Sequence, residues 1–362
     1  MPRLSRDVRL LILEIVLPLL LLGLAEVGFR AIISHLPNAP LPTLLPYPVA
    51  SGKYLSYRNL ADRDEPLDVL LMGMSQMLRA NMGIVRQTIA RETGRQILGF
   101  NFAAPLQSVE FNRRLLEDVL VPIKPPRVLV HGILPKNMLF EERPDQVDRM
   151  TQSLPVFAMH SGTPAARFQD LLFGFSQLLE YREVIRDTLA RTRPPQIEFW
   201  VKLGRRSDQY GDVALNVPVV PVPALNVWEK QFIERFSKFD DLMQRTQLFD
   251  HLADLARTCR AHGIQLVLLN NAIHPLALQE LPHGADDYAR FVAALQATAD
   301  ALGVPFLNPA PGGIGEPNLF QDTVHHNVAG TKWLSERIAH FLLERGLIDQ
   351  PSPHGATPTA GA

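Results

Sequence analysis

Five short apolar runs, separated by amphipathic stretches, constrain this chain more than any other feature. They lie at residues 69–72, 96–102, 127–133, 264–269 and 304–307. Each is of strand length, and the segments between them carry a helical period. Ile84, Val85 and Ile89 mark one helix that Gly94 can end. Ser108 can cap a second, in which Phe111, Leu115 and Val119 recur at four-residue spacing until Pro122, Pro125 and Pro126 stop it. Further helices are expected over residues 250–261, with Leu252, Leu255 and Cys259 on one face, over 286–302, and after Asn327, where Leu334, Ile338 and Phe341 would be buried. Strands alternating with helices imply a parallel sheet covered on both faces. The expected fold class is therefore α/β, a flavodoxin-like three-layer sandwich with a five-stranded parallel sheet.

The flanks differ in character. Arg3, Arg6 and Arg9 precede an apolar run over residues 10–25, broken only by Glu14 and Pro18. This is either a signal peptide or a slightly short membrane-spanning helix; no clean small-x-small cleavage site follows, which favours reading residues 1–36 as an uncleaved N-terminal transmembrane helix. Its basic flank should stay in the cytoplasm, which places the rest of the chain outside, periplasmic or extracellular. Pro37, Pro40, Pro42, Pro46 and Pro48 make residues 37–67 an extended linker. Residues 68–349 form the main domain, with a large insertion at 140–227 after the third strand, and residues 350–362 are expected to be a disordered tail. With 36 basic against 37 acidic residues there is no electrostatic case for nucleic acid. A single cysteine, Cys259, excludes an internal disulfide.

Chemistry concentrates at two distant points. Gly73-Met74-Ser75-Gln76 follows the first strand, where ligand sites of open α/β sheets lie. Asp322 and His325 precede the last helix, at a spacing that lets both side chains share one face of a helical turn. A serine hydroxyl is a weak nucleophile until a base takes its proton. His325 can be that base, with Asp322 fixing its tautomer. Taken singly, each motif is common: D-x-x-H often only caps a helix. His131 can be a core histidine or line the pocket floor. His274, before Pro275, can contact substrate or simply make a turn. His325, His326, Asp322 and His274 could be drawn as a metal site, yet no zinc-ligand signature accompanies them, so no metal is expected. No phosphate-binding glycine loop opens a helix, and no cofactor is expected.

G-M-S-Q at 73–76, N-F-A-A at 101–104 and D-T-V-H-H-N-V-A-G at 322–330 fall in an order that resembles the first, second and fifth blocks of the SGNH (GDSL-like) hydrolase superfamily. Within it the chain resembles the membrane-anchored branch, which includes proteins of teichoic-acid D-alanylation and alginate O-acetylation. The resemblance covers residues 68–133 and 265–341 and leaves the insertion outside. It implies Ser75 as nucleophile, His325 as base and Asp322 as its orienting acid. It also implies an oxyanion hole made by the backbone N–H groups of Ser75 and Ala103 with the side chain of Asn137. The usual Asp before the serine is Met74 here, and the residue after it is Gln76, where Leu is frequent. The function implied is a membrane-anchored esterase or O-acyltransferase acting on an envelope or secreted polysaccharide, beside a multi-spanning membrane acyltransferase. The alternative is a catalytically inactive binding or assembly subunit with the same fold.

Overall fold

The computed structural model describes residues 16–33, 48–105, 107–141, 208–212, 219–245 and 247–348. Helices α1 (Leu17–Ile33) and α2 (Pro48–Arg58) precede strand β1 (Leu67–Gly73). Then come α3 (Met82–Thr93), β2 (Gly99–Asn101), α4 (Val109–Leu115), β3 (Pro126–Ile133) and α5 (Lys136–Glu141). Beyond the insertion, α6 (Val227–Arg235), α7 (Phe239–Gln244) and α8 (Gln247–Ala261) lead to β4 (Gln265–Asn270). Helix α9 (Ala285–Leu302), β5 (Phe306–Leu307) and α10 (Val328–Glu344) complete the described chain.

All five strands are parallel and ordered β2-β1-β3-β4-β5, the flavodoxin-like order. Strands buried on both faces need continuous apolar runs rather than alternation, and every residue of β1 is buried. On one face, Val69, Leu71, Val130 and Val267 pack against Val85 and Ile89 of α3 and Leu334 and Ile338 of α10. On the other, Leu70, Met72, Leu129 and Leu268 meet Phe111, Leu252, Leu255 and Phe291. The expected caps are present: Ser108 Oγ accepts from Phe111 N at 3.1 Å, and Gly94 closes α3 in the left-handed conformation. The second strand is shorter than its apolar run, because only Gly99–Asn101 finds a partner in β1.

The proline-rich stretch is not extended throughout. Its second half is helix α2, with Pro48 at its first position, where a missing N–H costs nothing. Val49, Tyr57 and Leu60 join the core. The Tyr57 ring meets Phe100 and Phe102 edge-on at 5.2 and 5.8 Å, and its hydroxyl donates to Lys124 O at 2.5 Å. Lys53 Nζ, fully buried, donates to Asn101 O at 2.8 Å. Residues 48–60 therefore belong to the domain. Tyr57→Ala is expected to cost about 3 kcal/mol in chemical denaturation, whereas a free linker residue would cost nothing measurable.

The expected membrane span starts at Leu10, outside the described residues. What is described of it, α1, is 17 residues long, and its Leu19 to Leu22 and Leu24 are each more than half exposed. Among the described residues no helix is long and apolar enough to cross a membrane. Most of the insertion and the whole tail also lie outside the described residues. Of the insertion, residues 208–212 pack on the domain: Asn101 N donates to Tyr210 O at 2.8 Å, and Asp212 accepts from Met82 N and Gly83 N at the start of α3.

Candidate active site

Strand β1 ends at Gly73, whose φ of +138° turns the chain sharply out of the sheet. A Cβ there would stand 2.8 Å from Gly132 O, so the turn needs glycine on both counts. The next residues form a tight turn, Met77 N donating to Met74 O and Arg79 N to Gln76 O. Asn101, at the end of the neighbouring β2, holds that turn from beneath: its Nδ2 donates to Met77 O at 2.9 Å and to Ala80 O at 2.6 Å. Ser75 is left half-buried at the top of the sheet.

The other half of the site is the loop between β5 and α10. The sequence places Asp322 and His325 on one helical turn; they lie instead in a loop, because α10 begins only at Val328 under an Asn327 cap. The pair is joined by a side-chain turn. Asp322 Oδ1 accepts from Val324 N at 2.9 Å and from His325 N at 2.7 Å, and Oδ2 accepts from His325 Nδ1–H at 2.8 Å. Burial opposes ionisation of Asp322, but the adjacent His325 and these hydrogen bonds outweigh it and hold the carboxyl well below the usual carboxylate range. With Nδ1 carrying the proton, His325 Nε2 is the acceptor, and Ser75 Oγ donates to it at 2.8 Å. Two segments 250 residues apart thus form one relay.

A clamp that the sequence does not signal fixes the loop. Thr323 N donates to Glu229 Oε1 at 2.8 Å, Thr323 Oγ1 donates to Glu280 Oε1 at 3.0 Å, and Thr323 O accepts from His274 N at 2.9 Å. Glu280 is paired with Lys136 Nζ at 3.0 Å, which lies 4.1 Å from the centre of the Phe232 ring. Glu229 and Asn226 also form a reciprocal cap on α6. The pattern N-x-x-E at 226–229 is a legible capping box; its second use, gripping a distant catalytic loop, has no sequence signal. Ser75, Gln76, Lys136, Glu229, Phe232, Thr323 and His325 all border one cavity.

The other four candidate residues do not border this cavity. His131 is fully buried on β3 with Asn112 Nδ2 at 3.1 Å from its Nε2, and burial pulls its pKa to about 3, so it stays neutral in the core. His274 is 4 % exposed, and its Nδ1 accepts from Leu276 N at 3.0 Å, capping the turn Pro275–Glu280. Neither lines the cavity. The Ala103 N–H, expected in the oxyanion hole, donates instead to Asn101 Oδ1 at 3.0 Å. Asn137 is fully buried, its Oδ1 accepting from Leu134 N, and it does not border the cavity. His326 packs between the rings of Phe320 at 4.7 Å and Trp333 at 5.8 Å. Burial lowers its pKa to about 3.

The arrangement is that of a serine activated by an oriented imidazole, able to attack a carbonyl carbon. Among solved structures the chain is similar to a protein designated an acylhydrolase from Bacteroides fragilis, at 11 % identity and TM-score 0.38, over 81 % of this chain and 97 % of that one. It is also similar to a GDSL-like lipase from Bacteroides thetaiotaomicron, at 12 % identity and TM-score 0.39, over 81 % of this chain and 98 % of that one. No protein-family model and no curated protein matches the chain.

Proposed function

We propose that this chain is an SGNH-type serine enzyme that cleaves or transfers an ester-linked acyl group through a covalent acyl-serine. The observation that carries the reading is the relay from Asp322 through His325 to Ser75, with 2.8 Å at both junctions. His325 Nε2 takes the hydroxyl proton as Ser75 Oγ bonds to the ester carbon. The carbonyl electron pair moves onto oxygen, and on collapse the imidazolium returns the proton to the departing alkoxide. Water or a sugar hydroxyl then repeats the sequence in reverse, giving hydrolysis or transfer. Residues 1–36 would anchor the chain, with its catalytic domain outside the cytoplasmic membrane. Support comes from Arg3, Arg6 and Arg9 ahead of an apolar segment whose described leucines are exposed. The sequence blocks favour a polysaccharide as acyl acceptor or donor, and a multi-spanning acyltransferase as partner.

One observation favours a second reading, a binding or assembly subunit without activity. Of the three expected oxyanion donors, the Ala103 N–H is taken by Asn101 Oδ1, and Asn137 does not border the cavity. A fluorophosphonate probe distinguishes the two. Stoichiometric labelling of the full chain, mapped by peptide mass spectrometry to Ser75, is the expected result. An unlabelled chain that still binds polysaccharide would support the second reading.

A further inference from the structure

With Asn137 away from the cavity, none of the expected residues offers a side-chain oxyanion donor there, whereas Gln76 borders it. Gln76 follows the nucleophile directly, is 3 % exposed, and borders the same cavity as Ser75 and His325. Its Oε1 is buried without a hydrogen-bond partner. Among the described residues nothing accepts from its Nε2; fully buried Asn271 also has neither amide end bonded, but unlike Gln76 it does not border the cavity. A buried amide oxygen left unbonded is costly to keep, because it loses its water without replacement. Such a group in a reactive cavity is explained if its partner arrives with the substrate. The chain sequence places it well for this: Gln76 begins the tight turn after Gly73, so its own N–H and that of Ser75 have no carbonyl earlier in that turn to bond.

We infer that Gln76 is a catalytic residue, its Nε2 donating with the Ser75 N–H to the oxygen that becomes negative when Ser75 attacks an ester carbonyl. This rests on the acyl-serine reading above. As the Oγ–carbon bond forms, the carbonyl π pair becomes an oxygen lone pair. The two donors stabilise that charge. When the carbon–alkoxide bond breaks, the pair returns to the carbonyl and His325 supplies the proton to the leaving oxygen. Turning the amide about its last bond exchanges Nε2 and Oε1 without breaking a hydrogen bond, so the donor can be presented freely.

The test uses the full chain and p-nitrophenyl acetate, with wild type, Ser75→Ala, Gln76→Ala and Gln76→Glu. Gln76→Glu keeps the shape and an acceptor oxygen but removes the N–H donor, so it separates donation from packing. Both Gln76 variants are expected to lose about 10²-fold in kcat with KM changed by less than about 3-fold, a split that loss of packing would not produce. Either variant retaining kcat within about 3-fold of wild type, when folded by circular dichroism, overturns the assignment. If Gln76→Ala does not fold, Gln76→Glu alone decides. A wild-type chain inert both to this ester and to the fluorophosphonate probe overturns the acyl-serine reading itself, and the role of Gln76 with it.

Discussion

Replacing His325 with alanine is expected to lower kcat/KM for an activated ester by about 10⁴-fold or more, and adding Ser75→Ala to it should cost little further. The near-absence of a second penalty is the sharper half of this prediction. Ser75 Oγ and His325 Nε2 share one proton across 2.8 Å, so removing either partner disables the same step. Asp322→Asn should fall almost as far, for a different reason. Asp322 accepts three hydrogen bonds, two from backbone N–H groups and one from the imidazole. An asparagine offers only one acceptor oxygen. Its NH₂ must then face either the backbone donors or the ring, and in the second case it favours the tautomer in which Nε2 carries the proton and cannot accept one. Because the Asp322 carboxyl lies below the usual range, it is already ionised above about pH 4. The deficit of the Asp322→Asn variant should therefore be present across the whole pH–rate profile and not only on its acid side. Steady-state kinetics from about pH 5 to about pH 9 on the single and double variants check this. Additive losses, or a deficit confined to low pH, would mean that the three groups do not act as one unit.

How much of this was legible beforehand differs by kind of interaction. The five strands were, because strands buried on both faces must be apolar throughout, and their parallel pairing follows from the alternation with helices. The relay was also legible, since Ser75 stands at a strand end and Asp322 and His325 sit three residues apart. Its local geometry was not: three residues apart fits a helical turn and an Asx-type loop equally, and the Asn327 cap decides for the loop. Prolines over 37–48 signalled extended chain, but a proline at a helix's first position looks the same in sequence as one in a linker. The buried clamp of Lys136, Glu229, Glu280 and Thr323 was invisible because its members lie far apart along the chain and each charged residue alone reads as surface. The Ala103 N–H was not legible for a similar reason. A motif identifies a backbone N–H by position, whereas its availability depends on whether a neighbour such as Asn101 has already claimed it.

The remaining large effect concerns Gly330, which explains why the segment after His325 ends in glycine. Gly330 lies in the first turn of α10, where its N–H donates to the capping Asn327 Oδ1 at 3.1 Å. Its backbone is helical, so conformational freedom is not the reason for its lack of a side chain; space is. A Cβ would stand 2.0 Å from Leu319 O and 2.6 Å from His326 Cδ2. Leu319 O already accepts from Asn327 N at 3.0 Å, and Asn327 Nδ2 donates to Asn318 O and Phe320 O, so this backbone cannot retreat without breaking the cap. The stretch from Asn318 to Asn327 carries Asp322 and His325, and it is pressed directly onto α10 at this point. Gly330→Ala should therefore destabilise the domain by about 3 kcal/mol, a fall in melting temperature on the order of 10 °C. It should also lower kcat by about 10²-fold, since a shift near 1 Å at the imidazole suffices for that loss. Gly94→Ala is the matched control: its added Cβ meets nothing within 4 Å, and only the left-handed φ of +72° is strained. It should cost about 1 kcal/mol and leave kcat intact. Thermal denaturation and ester kinetics on the two variants separate the cases, and a Gly330→Ala chain as stable and active as the Gly94→Ala control would show that the loop is free to move away from the helix.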